Sequence, residues 1–427
     1  MNILMMTNTY EPFVGGVERS IQMFSDEYRK RGHRVIIVAP TFEGMPDRER
    51  DVVRVPALQK FNGTDFSVQL PVPGVLNRAL EDVTPDIVHS HHPYLVGDTA
   101  LRLAAKHDVP LVFTFHTFYE RYTHYVPLDS PGMKRFVISL ATGYANLCNR
   151  IFAPSESVAT ELVRRGVAST IDVVPTGVDT GSFASGDATG FREGLNLPPE
   201  AFVIGFVSRL APEKNIAFLT RCVGEFMQKD DDAYFVVIGK GPSRQNMLKA
   251  LSEFGVHERV RAPGTLEGHG LVDAYHAMDV FAFASTTETQ GMVVTESLAA
   301  GVPVVAVDAP GVRDVVRNGK DGILVAEKEK PFIQALRGIR DMSEDAREEM
   351  RARGRQRARQ FDMSASAGKA LTVYRHLHST HARFPRANDE PLRDALRLVK
   401  AEWDVLANMT RATGAAFGVK GKRATVL

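Results

Sequence analysis

The strongest chemical signal in the sequence is a pair of carboxylates in the segment Glu288-Thr-Gln-Gly-Met-Val-Val-Thr-Glu296. The segment follows a predicted strand over residues 281–285 and passes through a loop into a helix, whose first amides suit a phosphate group. Gly291 leaves room for a ligand to approach. Glu296 stands in an apolar helix, and a buried carboxylate needs donors, which the vicinal hydroxyls of a ribose would supply. The alternative is that Glu288 is a solvated loop acid and that Glu296 belongs to an ion pair in the core. The spacing alone favours this alternative and the ligand site equally.

Two cations five residues apart form the second signal, Arg209-Leu-Ala-Pro-Glu-Lys214, at the end of the predicted strand 202–210. Arg209 offers a planar fork of donors and Lys214 a point charge, so both can reach one diphosphate from two directions. Surface cations beside a turn are common, and the pair is weak by itself. Together with Glu288 and Glu296 it indicates a nucleotide-diphosphate site.

A third signal is the loop between the first predicted strand and helix, which contains Gly15 and Gly16. The loop is neither a G-x-G-x-x-G dinucleotide fingerprint nor a phosphate-binding loop of the G-K-[ST] type. The two glycines allow close approach of the backbone to a ligand, although a Gly-Gly turn is usually only a turn.

Histidines cluster at the ends of two predicted strands in the first half of the chain. His116 ends one strand, and His89, His91 and His92 end a neighbouring one. A strand-end histidine is more often structural than catalytic. No carboxylate stands at a matching spacing, and alternation directs His91 and His92 to different faces, so we predict no metal site. Asp230-Asp-Asp232 precedes a strand and is interpreted as a solvated turn at the wrong end of the sheet.

Short apolar runs alternate with helical patterns along both halves of the chain, which predicts two parallel α/β sheets in tandem. The expected strands cover residues 3–7, 35–40, 86–91, 110–117, 151–154 and 171–175, then 202–210, 234–239, 259–262, 280–284 and 304–307. We predict an N-terminal domain over 1–180, a linker over 181–200 and a C-terminal domain over 201–360. A crossover helix over 361–378 then packs on the N-terminal domain, and a basic extension covers 379–427.

Composition narrows the function classes. The 427 residues are 44% hydrophobic and 24% charged with a net charge of +1, which argues against a dedicated nucleic-acid binder. Cys148 and Cys222 are far apart, so neither a disulfide framework nor a zinc site is predicted, and a cytoplasmic compartment fits best. The N-terminus has no signal-peptide pattern, and no run has the length of a transmembrane helix.

The positive charge is concentrated in the tail, since residues 1–190 carry −3, residues 191–380 carry 0 and residues 381–427 carry +4. The tail predicts one apolar helical stripe, comprising Leu392, Leu396, Val399, Trp403 and Leu406. The cations that follow, with no acid among them, are Arg411, Lys420, Lys422 and Arg423. A docking helix with a frayed terminus is favoured over a membrane-surface segment.

Over residues 1–377 the combination of these motifs resembles the retaining glycosyltransferases of family 4, which have the GT-B fold. The resemblance implies two Rossmann-like, doubly wound parallel-sheet domains that face a central cleft, with a C-terminal helix crossing back. It implies that Arg209 and Lys214 hold the donor's diphosphate, Glu296 the ribose and Glu288 the hydroxyls of the transferred sugar. The remaining implied donor contacts are Gly15, Gly16, Ala262, Pro263, Gly264, Thr289, Gln290, Gly291, Met292 and Val293. His116 would contact the sugar and help to place the acceptor, which completes a catalytic set of His116, Glu288, Arg209 and Lys214.

Two stretches, His91–Arg102 and Phe113–Tyr125, together with Glu288-Thr-Gln-Gly, look like the branch of this family that glucosylates diacylglycerol. That branch implies UDP-glucose as donor, no separate cofactor, no metal, and work at the inner membrane surface as a peripheral enzyme. The aromatic loop Phe118, Tyr119, Tyr122 and Tyr125 would insert at an interface or line a sugar groove. The alternatives are the same chemistry on a soluble or polysaccharide acceptor, a two-domain NAD-dependent oxidoreductase, and a pure interaction protein.

Overall fold

The computed structural model describes residues 1–12, 15–46, 49–58, 68–69, 76, 80–81, 83–123, 129–381 and 390–418. The chain divides into two compact units. The first unit comprises Met1–Pro175 and Ser366–Leu427, and the second comprises Thr176–Ala365. Residues 181–200, predicted as a linker, lie within the second unit, where 188–194 form a helix. This stretch contains one short helix between turns and has no long apolar run, and such a pattern is also typical of a linker.

The first unit is built on a seven-stranded parallel sheet with strand order β3-β2-β1-β6-β7-β8-β9. Its strands are β1 (Asn2–Met6), β2 (Arg34–Pro40), β3 (Val52–Val55), β6 (Ile87–Ser90), β7 (Leu111–Thr114), β8 (Arg150–Ala153) and β9 (Ile171–Val173). A separate antiparallel pair joins β4 (Ala57–Leu58) to β5 (Val68–Gln69).

The second unit has a six-stranded parallel sheet with strand order β12-β11-β10-β13-β14-β15. Its strands are β10 (Phe202–Val207), β11 (Ala233–Ile238), β12 (Val260–Gly264), β13 (Val280–Phe283), β14 (Val304–Val307) and β15 (Gly322–Val325). Every residue of β10 is buried, as expected for a central strand whose two faces are covered by helices.

Helices connect the strands and cover the sheets. In the first unit they are α1 (Gly16–Lys30), α2 (Val96–His107), α3 (Pro131–Ala145) and α4 (Glu156–Arg164). In the second unit they are α5 (Ala188–Gly194), α6 (Ile216–Met227), α7 (Arg244–Glu253), α8 (Gly268–His276), α9 (Met292–Ala299), α10 (Val312–Val315), α11 (Glu329–Arg340) and α12 (Glu344–Ala358). Two helices follow, α13 (Met363–His381) and α14 (Glu390–Ala416).

The predicted crossover of the chain back to the first unit is confirmed. Helix α13 begins in the second unit, and from Ser366 onward it belongs to the first. There Tyr374 is fully buried, stacks on Phe152 at a centroid distance of 5.7 Å and meets Tyr28 edge to face. The two-sheet GT-B architecture is therefore present as predicted, with each unit holding its own apolar core.

The sequence analysis missed two strands of these sheets, β3 and β15, each at the outer edge. An edge strand pairs on one side only, and most residues of β3 and β15 are half-buried. Arg54 interrupts the apolar run of β3, whereas β15 is a short apolar run, Gly322-Ile-Leu-Val325, that the sequence analysis did not assign.

Candidate functional site

The order of the second sheet explains how residues distant in sequence meet. Strands β10 and β13 are neighbours, and the connections on either side of them run in opposite directions. Ligands of open α/β sheets bind at this switch point, beyond the carboxyl ends of the strands. The loop after β10 carries Arg209 and Lys214, and the loop after β13 carries Glu288.

Lys214 and Glu288 form a direct ion pair in this loop cluster. The Nζ atom of Lys214 lies 2.6 Å from Oε1 of Glu288, and the two side chains are only 16% and 14% exposed. Burial favours a raised pKa for Glu288, but Lys214, a hydrogen bond from Ser285 and the charge of Arg209 together outweigh it and lower the pKa. Glu288 is therefore an ionised carboxylate at neutral pH, held beside two cations.

Arg209 is positioned by an acid to which the sequence analysis gave no role. Its Nη2 atom donates to the carboxylate of Glu213, whose side chain is 1% exposed and lies in a 3₁₀ turn over Pro212–Lys214. The backbone carbonyl of Glu213 also accepts from Thr287, 3.2 Å away, which ties the two loops together. The Arg209 side chain remains 43% exposed, so its guanidinium is oriented by Glu213 and still open to a ligand.

Glu296 is buried in α9, with 2% of its surface exposed, as its apolar helix predicts. Its Oε2 atom accepts a hydrogen bond of 2.9 Å from the hydroxyl of Tyr275, whose oxygen also lies 3.2 Å from the carbonyl oxygen of Val293. Tyr275 belongs to α8, and no spacing in the sequence links it to Glu296. The protein itself therefore supplies a donor to this carboxylate.

The loop between Glu288 and Gly291 is fixed by its side chains and by glycine. The side-chain amide of Gln290 is buried and makes two bonds to the backbone of Thr176, accepting from its N–H at 2.7 Å and donating to its carbonyl at 2.6 Å. Gly311 packs directly against the backbone of residues 288–290, where a Cβ atom would approach to 2.8 Å. The half-buried Thr289 lies in this supported stretch.

Helix α9 begins at Met292, directly after Gly291. Gly291 adopts φ +79°, in the left-handed region, and its carbonyl accepts from the amides of residues 294 and 295. The first-turn amides of Met292 and Val293 have no acceptor within the helix, because α-helical bonds begin one turn later. This is the arrangement that the sequence analysis expected for an anion site.

The carboxyl end of β12 carries Ala262, Pro263 and Gly264, three of the donor contacts that the family resemblance implies. Ala262 is half-buried, Pro263 is exposed and Gly264 is buried with φ +100°. The carbonyl of Gly264 accepts from the amide of Gly239, 2.7 Å away.

Gly239 opens a second loop that the sequence analysis did not single out, Gly239-Lys240-Gly241, after β11. Gly239 and Gly241 have positive φ, and a Cβ atom on either would lie 2.0–2.3 Å from the carbonyl oxygens of Ser208 and Leu210. Two glycines are required here because the loop packs against the backbone that leads to Arg209. The exposed Lys240 stands between them.

In the first unit, the predicted glycine loop lies at the corresponding switch point, between β1 and β6. Gly15 caps the start of α1 in an extended conformation. A Cβ atom built on Gly16 would meet nothing within 4 Å among the described residues. Packing within the protein therefore does not require glycine at position 16.

Four histidines of the first unit, His89, His91, His92 and His116, lie close together. The rings of His89 and His91 are 4.2 Å apart between centroids, and His116 is half-buried whereas the other three are buried. His91 Nδ1 lies 2.9 Å from Nε2 of His116, and the rings stack at a centroid distance of 5.1 Å. His89 contacts the hydroxyls of Tyr374 and Thr114, whereas Nδ1 of His92 accepts from the backbone N–H of Asn8. Burial lowers the pKa of all four, to about 3 for His89 and His92. All four rings are therefore neutral at pH 7.

Three smaller features complete this account. Asp230-Asp-Asp232 forms a turn before β11 in which Asp230 pairs with Arg340, and the described residues contain no group of three metal-ligating side chains. Of the aromatic loop, Tyr125 lies outside the described residues and Tyr122 is half-buried. Phe118 and Tyr119 are 3% and 8% exposed, so of the two predicted alternatives, insertion of these two rings at an interface is wrong. They pack against Phe115 instead, because the loop folds back onto the core.

Comparison with known proteins gives two family matches along the chain. Residues 14–182 match the model of Glycosyltransferase Family 4, and residues 187–361 match that of Glycosyl transferases group 1. The two matches correspond closely to the two sheets.

Individual relatives and structures agree with these matches. An alpha-monoglucosyldiacylglycerol synthase of Acholeplasma laidlawii is 26% identical over 361 residues, covering 81% of this chain and 89% of its own. A GDP-mannose-dependent alpha-mannosyltransferase of Mycolicibacterium smegmatis is 30% identical over 334 residues, covering 76% and 84%. The structure of Anabaena HepE in complex with UDP-glucose superposes with a TM-score of 0.69 at 18% identity, covering 88% of this chain and all of that one.

Proposed function

Because the chain belongs to the glycosyltransferases, with a family 4 part followed by a group 1 part, we propose that it moves a hexose from a nucleotide-sugar donor to a hydroxyl acceptor. The donor is UDP-glucose, the acceptor is diacylglycerol at the inner membrane surface, and the anomeric configuration is retained. The observation that carries the donor site is the buried ion pair of Lys214 and Glu288 beside Arg209, at the switch point of the second sheet.

The charges at this point suit the departure of a diphosphate. Breaking the glycosyl–phosphate bond places negative charge on the leaving oxygen, and preorganised cations stabilise that charge in the transition state. Arg209, held by Glu213, and Lys214 supply two cations, and the first-turn amides of α9 supply further donors. We assign to these groups the charge neutralisation that other transferases obtain from a metal ion.

Glu288 and Glu296 accept hydrogen bonds from hydroxyl groups of the donor. An ionised Glu288 accepts hydrogen bonds from the hydroxyls of the transferred sugar, and Lys214 stays at its side to limit the cost of burying it. Glu296 accepts from the ribose, with Tyr275 holding one of its oxygens in place. Pro263 and its neighbours at the end of β12 lie along the base.

From the first unit we assign Gly16 to donor binding and His116 to contact with the sugar and placement of the acceptor. The open space around Gly16 fits a ligand that approaches the backbone there. His116, neutral and bonded to His91, serves as a hydrogen-bond partner of a sugar hydroxyl and not as a cation.

Support for a lipid acceptor comes from relatives named as alpha-monoglucosyldiacylglycerol synthases, while other relatives are named for GDP-mannose. The deciding experiment offers UDP-glucose, UDP-galactose and GDP-mannose, each with diacylglycerol or with soluble sugar acceptors, and identifies products by mass spectrometry. We expect glucosyl-diacylglycerol from UDP-glucose, with the α-anomer identified by NMR and with activity unchanged by EDTA. Products on soluble sugars alone would overturn the lipid acceptor, and no hexosyl product from any pair would overturn the proposal.

A further inference from the structure

Helix α14 presents two apolar faces, and within the described part of the chain only one of them packs against other helices. One face packs against α2 and α3 of the first unit through the buried residues Ala401, Val405 and Ala412. Asn408 on the same face is 3% exposed, donates to the carbonyl of Leu140 and occupies the space that a side chain on Gly143 would need. The helix is thus docked tightly by its small residues.

The stripe predicted from the sequence is the other face, and it points to solvent. Leu396, Val399, Trp403 and Leu406 are 59%, 66%, 70% and 59% exposed, and Phe417 beyond the helix is 82% exposed. We name these five residues the outer stripe. The side chain of Leu392, the first predicted member, lies outside the described residues. A row of large apolar side chains on a docked helix indicates a surface with an external partner.

Both cations and acids stand beside the outer stripe. Lys400 and Arg411 are exposed on its flank, and the half-buried Asp404 lies four residues after Lys400. Glu402, on the other side of Trp403, is neutralised within the protein by a two-bond pair with Arg102, at 2.6 and 3.0 Å, and its pKa is lowered by that arginine. From residue 405 to the C-terminus the sequence contains four cations and no acid. A negatively charged partner is therefore favoured at this end.

Other basic residues of the first unit are a poor match to such a partner. The cluster Arg29, Lys30 and Arg31 at the end of α1 is tied to Asp26 and Glu27 by ion pairs. Among the described residues, no row of exposed large apolar side chains accompanies it.

The spacing of the outer stripe also matches a coiled-coil seam, so a second copy of the chain is the competing occupant. In the sequence the seam pattern extends over two heptads, from Leu392 to Leu406, and it stops there because Thr410 and Thr413 stand at the next two seam positions. A stable coiled coil needs a longer apolar repeat and charged pairs at its edges, and Glu402 is already committed to Arg102.

We propose that the outer stripe of α14 is the membrane-contact surface of the protein and that its partner is the surface of an anionic lipid bilayer. The inference deepens the proposed function and rests on it, since it places the docked helix between the first unit and the lipid acceptor. Apolar side chains would enter the acyl boundary, with Trp403 at the level of the headgroups and the cations against lipid phosphates.

The test uses the full-length protein and its own fluorescence, because Trp403 is the only tryptophan in the chain. Vesicles of phosphatidylcholine with and without phosphatidylglycerol are titrated into the protein. We expect the tryptophan emission to shift to shorter wavelength with the anionic vesicles, and brominated lipids to quench it. No shift and no quenching with vesicles that nevertheless sediment the protein would overturn the inference.

Variants separate this surface from the catalytic proposal. Leu396→Glu combined with Leu406→Glu should weaken vesicle binding at least about tenfold, whereas Val163→Glu, at an apolar residue 63% exposed elsewhere in the first unit, should not. Both variants should keep the melting temperature of the wild type and transfer glucose to short-chain diacylglycerol dispersed in detergent. Equal vesicle binding by both variants, or a blue shift that depends on protein concentration without lipid and accompanies dimerisation, would refute the membrane contact. Vesicle binding by a protein that transfers no sugar would leave the contact standing and refute only the proposed function.

Discussion

Replacing Lys214 with methionine tests how much the ion pair with Glu288 stabilises the candidate donor site. The substitution keeps the length of the side chain and removes the cation 2.6 Å from Glu288. Burial, the largest influence on Glu288, would then act with less opposition, and its pKa would rise instead of falling. Breaking a buried ion pair costs 3–5 kcal/mol, and since both side chains retain some exposure we expect a loss of about 2–3 kcal/mol at pH 7.

A double-mutant cycle with Glu288→Gln isolates the interaction of the pair. The double variant no longer buries a lone charge, so it should recover most of the stability, with a coupling free energy of about 2 kcal/mol. In Lys214→Met alone, stability should rise as the pH falls from 7 towards 5, because a carboxyl group whose folded pKa is raised binds protons more readily in the folded state. Neither Lys214→Met nor the double variant should retain transferase activity.

Amide hydrogen exchange of peptides from α9 measures the opening of the second unit directly, whereas Trp403 fluorescence reports the first unit. The matched control is Lys229→Met, which breaks an exposed pair with Glu225 at 2.7 Å in the same unit and should change stability by less than about 0.5 kcal/mol. A coupling for Lys214 and Glu288 as small as that of the control would show that solvent screens the pair, and our reading of the site would be refuted.

Three further predictions concern other parts of the account. Lowering the pH from 7 to 5 should destabilise the first unit by about 2 kcal/mol for each of His89 and His92, because unfolding raises their pKa from about 3 towards 6.5 and takes up protons; a flat pH dependence in urea titrations would contradict this. Tyr275→Phe should weaken UDP binding measured by calorimetry while the fold persists, since Glu296 loses a fixed donor, and unchanged affinity would remove Tyr275 from the site. Gly16→Val should leave the melting temperature unchanged and abolish transferase activity, because only a ligand requires the open space there; full activity would refute that role.

How far the sequence predicts this fold follows from burial. The central strands were recognised because both of their faces are covered and they appear as continuous apolar runs, as in β10. Of the two missed edge strands, β3 is interrupted by Arg54, whereas the apolar run of β15, Gly322-Ile-Leu-Val325, was a usable signal. The boundary at Pro175 was missed for a similar reason, since residues 181–200 are polar and glycine-rich yet belong to the second unit.

For the candidate site, the sequence could name the residues but not their partners. Glu288 and Lys214 were selected separately, and only the adjacency of β10 and β13 brings them into contact. The roles of Tyr275 and Gln290 depend on tertiary contacts that no spacing encodes. Glu213 is different, because it stands four residues after Arg209 and its pairing could have been predicted. A pattern of glycines after a buried strand, as at Gly239 and Gly241, would have been a usable signal.

The helical stripe of the tail illustrates a different limit. The periodicity of Leu396 and Trp403 correctly indicated an amphipathic helix, but α14 docks through its smaller residues, Ala401 and Ala412. Small side chains allow the helix to lie close to α3, whereas large ones would hold it away. Hydrophobicity alone therefore did not indicate which face is buried. The cations Lys420, Lys422 and Arg423 lie outside the described residues.

The central claim is that a nucleotide diphosphate binds at the carboxyl edge of the second sheet, and amide hydrogen exchange with and without UDP tests it most directly. We predict that UDP slows exchange in peptides covering residues 209–214, 262–264 and 288–296, and that Lys214→Met with Glu288→Gln removes this protection. Unchanged exchange in these three segments at saturating UDP, or protection located only elsewhere in the chain, would contradict the account.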